Sequence, residues 1–388
     1  MLAFVWEAGV FTATEAMSAI GLTRSTTIDV LDELVDLGLV RELPNARASG
    51  DYQKGRPARR FELRAEAALV VGVDAGRSHL TTAIADLRGT ELVREHTVLP
   101  DGDDSVDKRR AAIRAAVDAA LDATGRGRAD VLAICVGVPA PVDRSGKSPT
   151  HPRDDFWRRM NPDLAELFSA WVPLVRVEND ASLAAVAEGS VGAAVGYDDY
   201  VALLAGERLG AGVVVDGALL RGAHGGVGEM VAFDRVIGVE GAWGLGHRAA
   251  EWAREAIDAA EVSPDSPLAR IDPADLDGRT VLLAAQNGDP DAGRIAERVS
   301  AMLAIVTGIL GSLFDPRLVV VSGAVSAGAA EVIARAREAL AGELDLPAPE
   351  LVASTLGGDV VCIGALAAAL DLARSGVLDR VDSLREAG

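Results

Sequence analysis

Cysteine is almost missing from this chain of 388 residues: only Cys135 and Cys362 occur, both inside apolar, strand-like runs. Two thiols alone cannot make a zinc cluster, and they read as small buried hydrophobes. Aromatic residues supply 4% of the chain against an apolar total of 49%, so the core must be built mostly from Ala, Val and Leu. No apolar run reaches the roughly 18 uninterrupted residues of a membrane span. No signal-peptide pattern opens the chain, and a cytoplasmic location is expected. Positive charge is also scarce. The 38 Lys and Arg face 58 Asp and Glu, a net charge of −20, which argues against a protein that coats nucleic acid generally. The length allows two or three domains around a large buried core.

Against that acidic background, one segment is basic. Between Arg41 and Arg64 stand Arg41, Arg47, Lys54, Arg56, Arg59, Arg60 and Arg64 against Glu42, Asp51 and Glu62, a local charge of +4. The residues before it show why this matters. Thr12-Ala-Thr-Glu15 is a capping box that opens a short helix to about Ile20. Gly21-Leu22-Thr23 makes a turn, and Thr23 can cap a second helix from about Arg24 to Leu37. Thr27, Val30, Leu31, Leu34 and Leu37 share one face of it, and Gly38 is placed as its stop. Leu39 to Arg41 and Arg60 to Leu63 predict the two strands of a hairpin. Two helices joined by a three-residue turn, followed by a basic hairpin, have the form of a winged helix-turn-helix. The second helix would enter the major groove by its first residues, Arg24, Ser25 and Thr26, while Lys54, Arg56 and Arg59 meet phosphate. The bland alternative is a small helical cap, and the acids Asp29, Asp32, Glu33 and Asp36 fit groove entry only through the first turn. The chain begins almost inside its first helix, Met1 to Ala8, which leaves open a turn upstream of Met1.

From Leu69 the pattern changes to α/β. Strands are predicted at Leu69 to Asp74, Thr81 to Asp86, Glu91 to Val98, Val131 to Val138 and Leu174 to Val177. Helices are predicted at Ser105 to Ala123 and Ala181 to Glu188. The theme restarts at Tyr200 to Leu204 and Val213 to Val215, and two β-turn-β units, each opening a lobe, suggest an internal duplication. Long helices follow at Gly241 to Ala259 and Asp289 to Leu313. Small residues in the latter (Ala301, Ala304, Gly308, Gly311) suit close packing, including at a subunit interface.

Several segments together resemble the ROK family, which groups transcriptional repressors with bacterial sugar kinases. They are Val138-Pro-Ala-Pro-Val-Asp143, Glu178-Asn-Asp-Ala181, Leu209 to Gly217 followed by Leu220 to Gly225 and Gly228-Glu229, and Val319 to Ser326. The resemblance implies a two-lobed actin-like, hexokinase-like (ribonuclease H-like) core preceded by an all-α-plus-wing helix-turn-helix domain. It divides the chain into a winged helix-turn-helix at 1–65, a first lobe at 66–185 and a second at 186–372. A C-terminal helix at about 373–388 would return to the first lobe.

The departures from the kinase pattern carry as much information. Asp-x-Gly-Gly-Thr is expected in the first phosphate hairpin, where this chain has Asp74-Ala-Gly76-Arg77-Ser78. Gly-Thr-Gly is expected in the second, where it has Gly206-Glu207-Arg208. A carboxylate at about 4 Å from phosphate costs roughly 4 kcal/mol at an effective dielectric near 20. The resemblance places Asp180 where the kinases carry their general base, with Asn179 and Glu229 beside it as ligand contacts. The histidine that should follow Glu229 falls at Ala232, and Phe233 to Gly244 lacks the zinc cysteines, so neither metal nor cofactor is expected. His224 and His247 are weak substitutes. Ser148-Pro-Thr-His151 replaces a Pro-Asn-Leu loop, and Trp157 could stack on a sugar or on the core.

The expected function is therefore a DNA-binding regulator, a repressor by its form and not an enzyme. It would act as a homodimer or dimer of dimers on double-stranded operator DNA, would need no membrane, and would sense a small carbohydrate-derived ligand between its lobes. The alternative is an ATP-dependent sugar kinase with an accessory DNA-binding domain. A third possibility is a regulator that has lost its ligand and answers to a partner protein.

Overall fold

The structure is a computed structural model that describes residues 1–44, 58–99, 105–150, 155–272, 275–340 and 347–380. The N-terminal module opens with α1 (Leu2–Glu7), a two-residue strand β1 (Phe11–Thr12), α2 (Ala13–Ile20) and α3 (Arg24–Asp36). Thr12 Oγ1 accepts from Glu15 N while Glu15 returns a carboxylate to Thr12 N, so both halves of the capping box are made. Gly21 closes α2 in the left-handed region, and Thr23 caps α3. Thr27, Leu31, Leu34 and Leu37 are buried on the inner face of the turn. β2 (Val40–Leu43) and β3 (Arg60–Leu63) pair antiparallel, and β1 adds a third strand on the far side of β3. The sequence pattern did not predict that strand. It forms because Phe11 pairs with Phe61 and their rings stack, with centroids 6.0 Å apart. Lys54 and Arg56, expected to meet phosphate, lie outside the described residues.

Two five-stranded sheets follow, with one topology between them. The first is built from β4 (Leu69–Ala75), β5 (His79–Asp86), β6 (Glu91–Val98), β7 (Val131–Val138) and β8 (Leu174–Asn179), in the order β6-β5-β4-β7-β8. The second is built from β9 (Tyr200–Leu204), β10 (Gly210–Val215), β11 (Ala218–Leu219), β12 (Leu318–Ser322) and β13 (Glu350–Ala353), in the order β11-β10-β9-β12-β13. In each sheet the first three strands are antiparallel and the last two run parallel to the first. The repeated order gives the suggested duplication a structural form.

The helices cover both faces. α4 (Val106–Thr124), α5 (Phe156–Met160) and α6 (Leu164–Ser169) lie against the outer core of the first sheet. Outside the second sheet lie α8 (Leu245–Asp258), α9 (Gly278–Gln286), α10 (Pro290–Phe314) and α11 (Ala330–Leu340). Between the sheets run α7 (Asp180–Val191) and α12 (Val360–Gly376). Gly72 makes this layer possible, because a Cβ there would overlap the backbone of Leu366 on α12. By length and composition alone α10 could cross a membrane, but half of its most apolar stretch is buried against the second sheet and its neighbours. Cys135 and Cys362 are buried free thiols, each pushed up to about 12 by burial.

Candidate functional site

The candidate site lies where the two sheets face each other, at the ends of β4, β8, β9 and β10. Asn179 ends β8 and caps α7. Its Oδ1 accepts from Ser182 N at 3.0 Å, and its Nδ2 donates to Ala140 O at 3.2 Å. The sequence reading gave Asn179 to a ligand. The structure gives most of its amide to the helix cap and to the loop after β7, leaving one N–H uncommitted among the described residues. Asp180 is the first residue of α7 and accepts from Ala181 N at 2.7 Å. Burial at the cleft base pushes its carboxyl up to about 8; the Ala181 N–H opposes the rise, and the charges of Asp74 and Glu229 add to it. Glu229 is held beside β10 by a bridge to Gly210, and burial raises its carboxyl while Arg208 opposes. The fold thus brings Asp180 and Glu229 within electrostatic reach of each other.

The sequence motifs name Asp74 and Glu178 without the partners that hold them, and they leave out Arg109. Asp74, nearly buried at the end of β4, takes a hydrogen bond with His79 Nε2 at 3.1 Å, and this contact, opposed by burial, raises the imidazole. A Cβ on Gly76 would overlap the His79 ring, so the ring packs directly on the hairpin backbone. Arg109 on α4 donates to the carbonyls of Ala75, Gly76 and Met160, pinning the same hairpin from the other side. Glu178, with its side chain buried, pairs with Arg221 at 2.8 Å across the cleft.

Arg77 and Glu207 need a correction. The sequence departs from the kinase pattern at both hairpins, with Glu207 expected to repel phosphate as a bare carboxylate. The structure pairs them, Arg77 Nη1 to Glu207 Oε1 at 2.6 Å. An ion pair spans the two hairpins, so the repulsion of an isolated carboxylate does not apply. Arg59, expected on phosphate, also has other company. Its guanidinium bonds Glu42 and Asp32, which raise it further above its ordinary value, and it lies over the Phe61 ring. It ties the hairpin to α3 and neutralises Asp32, one of the acids that follow Thr26 on α3. Arg24, Ser25 and Thr26 are exposed at the start of α3, and among the described residues Arg24 makes no ion pair.

The remaining candidates are structural. Trp157 packs against the outer core of the first sheet. His247 stacks on Trp243, with ring centroids 4.2 Å apart, and His224 is exposed. Among the described residues no group of three or more His, Cys, Asp or Glu side chains is arranged to hold a metal ion. A cavity of about 720 Å³ on the flank of the second sheet lies away from the cleft, and its buried Ser266 and Asp289 already bond each other at 2.6 Å.

Known proteins show the same architecture. The chain is 27% identical over 324 residues to a glucokinase of Streptomyces coelicolor, covering 79% of this chain and 98% of that one. It is 26% identical over 316 residues to the DNA-binding transcriptional dual regulator NagC of Escherichia coli K12, covering 79% and 74%. The solved structure of a ROK family transcriptional regulator, a homologue of the E. coli MLC protein, superposes with a TM-score of 0.74 at 22% identity. That likeness of fold covers 97% of this chain and 95% of the other, so it includes the N-terminal module. The ROK family model matches residues 70–371, and the chain belongs to the ROK family, with a helix-turn-helix module ahead of its two-lobed core.

Proposed function

We propose that this protein is a DNA-binding transcriptional regulator, a repressor in its mode, that senses a small carbohydrate-derived ligand and does not phosphorylate it. The observation that carries this reading is the ion pair between Arg77 and Glu207. It fills the space between two hairpins that the kinase pattern leaves to phosphate, while the reading residues Arg24 to Thr26 stay exposed. The likeness over 97% of the chain to a solved ROK transcriptional regulator supports it. Operator DNA meets Arg24, Ser25 and Thr26 in the major groove, with Lys54 and Arg56 on the flanking phosphates. Two copies of the chain read two half-sites, whose spacing follows the arrangement of the protein dimer. The ligand lies against Asp180, Glu229 and the remaining N–H of Asn179. Binding acts by favouring one arrangement of the lobes over another.

Fluorescence anisotropy on DNA from the protein's own promoter region, at low salt, tests the reading. Saturable binding that a sugar or sugar derivative shifts is expected. No binding at low salt would sink it. A thermal-shift screen with sugars and sugar phosphates separates ligand sensing from control by a partner protein, because a ligand selective for the native state raises the melting temperature.

A second reading, an active sugar kinase, is favoured by one observation. Asp180 sits at the cleft base with a raised carboxyl, as a general base would. ATP-dependent phosphorylation of a sugar, abolished in Asp180→Asn, would establish it. Calorimetry without nucleotide binding would remove it.

A further inference from the structure

The two lobes touch directly through side chains of their facing hairpins. Arg77 stands at the turn between β4 and β5 of the first sheet, and Glu207 at the turn between β9 and β10 of the second. They are 130 residues apart in the chain, yet their side chains meet at 2.6 Å. Each is displayed from an immobilised turn. On the first, Arg109 binds the carbonyls of Ala75 and Gly76, and the His79 ring packs on Gly76 while bonded to Asp74. On the second, Gly244 N donates to Glu207 O at 2.9 Å, His247 N donates to Gly206 O at 3.1 Å, and the Arg208 guanidinium lies 5.0 Å from the centre of the Trp243 ring. A floppy exposed ion pair loses most of its attraction to side-chain entropy, whereas two fixed turns reduce that cost. Deeper in the cleft the Arg221–Glu178 pair makes a second crossing, with Glu178 buried.

We propose that Arg77 and Glu207 form a latch that closes the cleft from within, so that the closed arrangement of the lobes needs no bound molecule to bridge them. The pair is half-exposed, 59% and 49% at the side chains. Exposed ion pairs bias an equilibrium by about 1.4- to 5-fold. The latch therefore sets a resting preference that a ligand in the cleft can add to or overcome. Its consequence for DNA rests on the regulator reading above; the latch itself does not.

The test uses the full chain with one spin label on each lobe, at Glu95→Cys and Glu338→Cys. Both positions are exposed, and the native Cys135 and Cys362 are buried with thiols pushed up to about 12, so they stay unlabelled. Electron–electron distance measurements at low salt should show a dominant short distance. Arg77→Glu and Glu207→Arg should each move population to longer distances, by about 1.4- to 5-fold in the closed-to-open ratio, or more because like charges then face each other. The double variant that swaps the charges should return most of it. Roughly 1 M salt should move the parent towards the single variants, because exposed charges are screened over about 3 Å at that strength. Unchanged distances in both single variants, or no recovery on swapping, would overturn the latch. DNA binding measured on the same samples keeps the two ideas apart. Loss of DNA binding with an intact salt and swap response rejects the regulator reading alone. Normal DNA binding with unmoved distances rejects the latch alone.

Discussion

Asp180 shows how one residue can be legible in type and illegible in state. The Glu178-Asn-Asp-Ala181 string placed it beside Asn179, but a string cannot show that burial would hold its carboxyl near 8 from an ordinary 3.8. The direction fixes a prediction. Well below pH 4 the carboxyl is protonated in folded and unfolded chains alike. As pH rises from about 4 to about 8 the unfolded chain ionises freely, while the folded chain must keep the proton or bury the charge, so stability is lost across that window. Asp180→Asn removes the penalty. The pH-dependent part of the difference in melting temperature, variant minus parent, should vanish well below pH 4, grow to several degrees by pH 8, and then level off. A flat difference would show that the cleft hydrates this carboxyl. On the DNA side, Arg24→Ala should weaken specific binding by about 1–3 kcal/mol and relax base preference at one position. Lys54→Ala should weaken all sequences alike and reduce the salt slope by about 1. Arg59→Ala should lower stability more than affinity, because Arg59 already serves Glu42 and Asp32.

At the level of elements, the local signals were sufficient wherever the stabilising contacts were local. The capping box at Thr12, the turn at Gly21 and the cap at Thr23 each need partners only two to four residues away, and each is present. Thr12→Ala should therefore cost the N-terminal module about 1 kcal/mol, read by denaturant unfolding, with Glu15→Ala overlapping it because the two caps form one unit. Elements shaped by distant partners were missed. The helix expected from Gly241 starts only at Leu245, because Ala242, Trp243 and Gly244 are diverted to close the Glu207 hairpin. α12 crosses β4 because Gly72 opens a path for it, while residues 381–388 of the helix expected at about 373–388 lie outside the described residues. In the site, Asp180 and Glu229 could be named from motifs. The partnership of Arg77 with Glu207 could not, because periodicity carries no information across 130 residues. Opposite charges at matched turns of two like hairpins were the one available hint.

Taken as one molecule, the chain joins its N-terminal module to the first lobe by a shared core. Val5, Trp6 and Phe11 belong to the same continuous apolar cluster as α7, α12 and the inner face of both sheets. The polar groups at the joint agree. Arg88, on the β5–β6 turn, donates to the carbonyls of Trp6 and Ala8 at the open end of α1, where helix carbonyls lack partners. Arg374 on α12 pairs with Glu7 at 2.9 Å and lies over the Trp6 ring. The linker is tied as well, with Leu87 N on Ala65 O and Arg126 on Glu66 O. A signal carried by lobe movement can reach the reading helix only if this joint is stiff, since a loose tether would let the module ignore the lobe. Calorimetry should then show the module unfolding together with the first lobe. Trp6→Ala removes the largest side chain at the joint, should cost about 3–5 kcal/mol, and should split off a separate low-temperature transition. If the proposed regulator reading holds, DNA affinity of that variant measured well below the new transition should persist while its response to ligand weakens, because Arg24 to Thr26 lie outside the joint. A parent protein whose module already melts independently of the body would sink the rigid joint, and with it any transmission of lobe movement to Arg24 through the shared core.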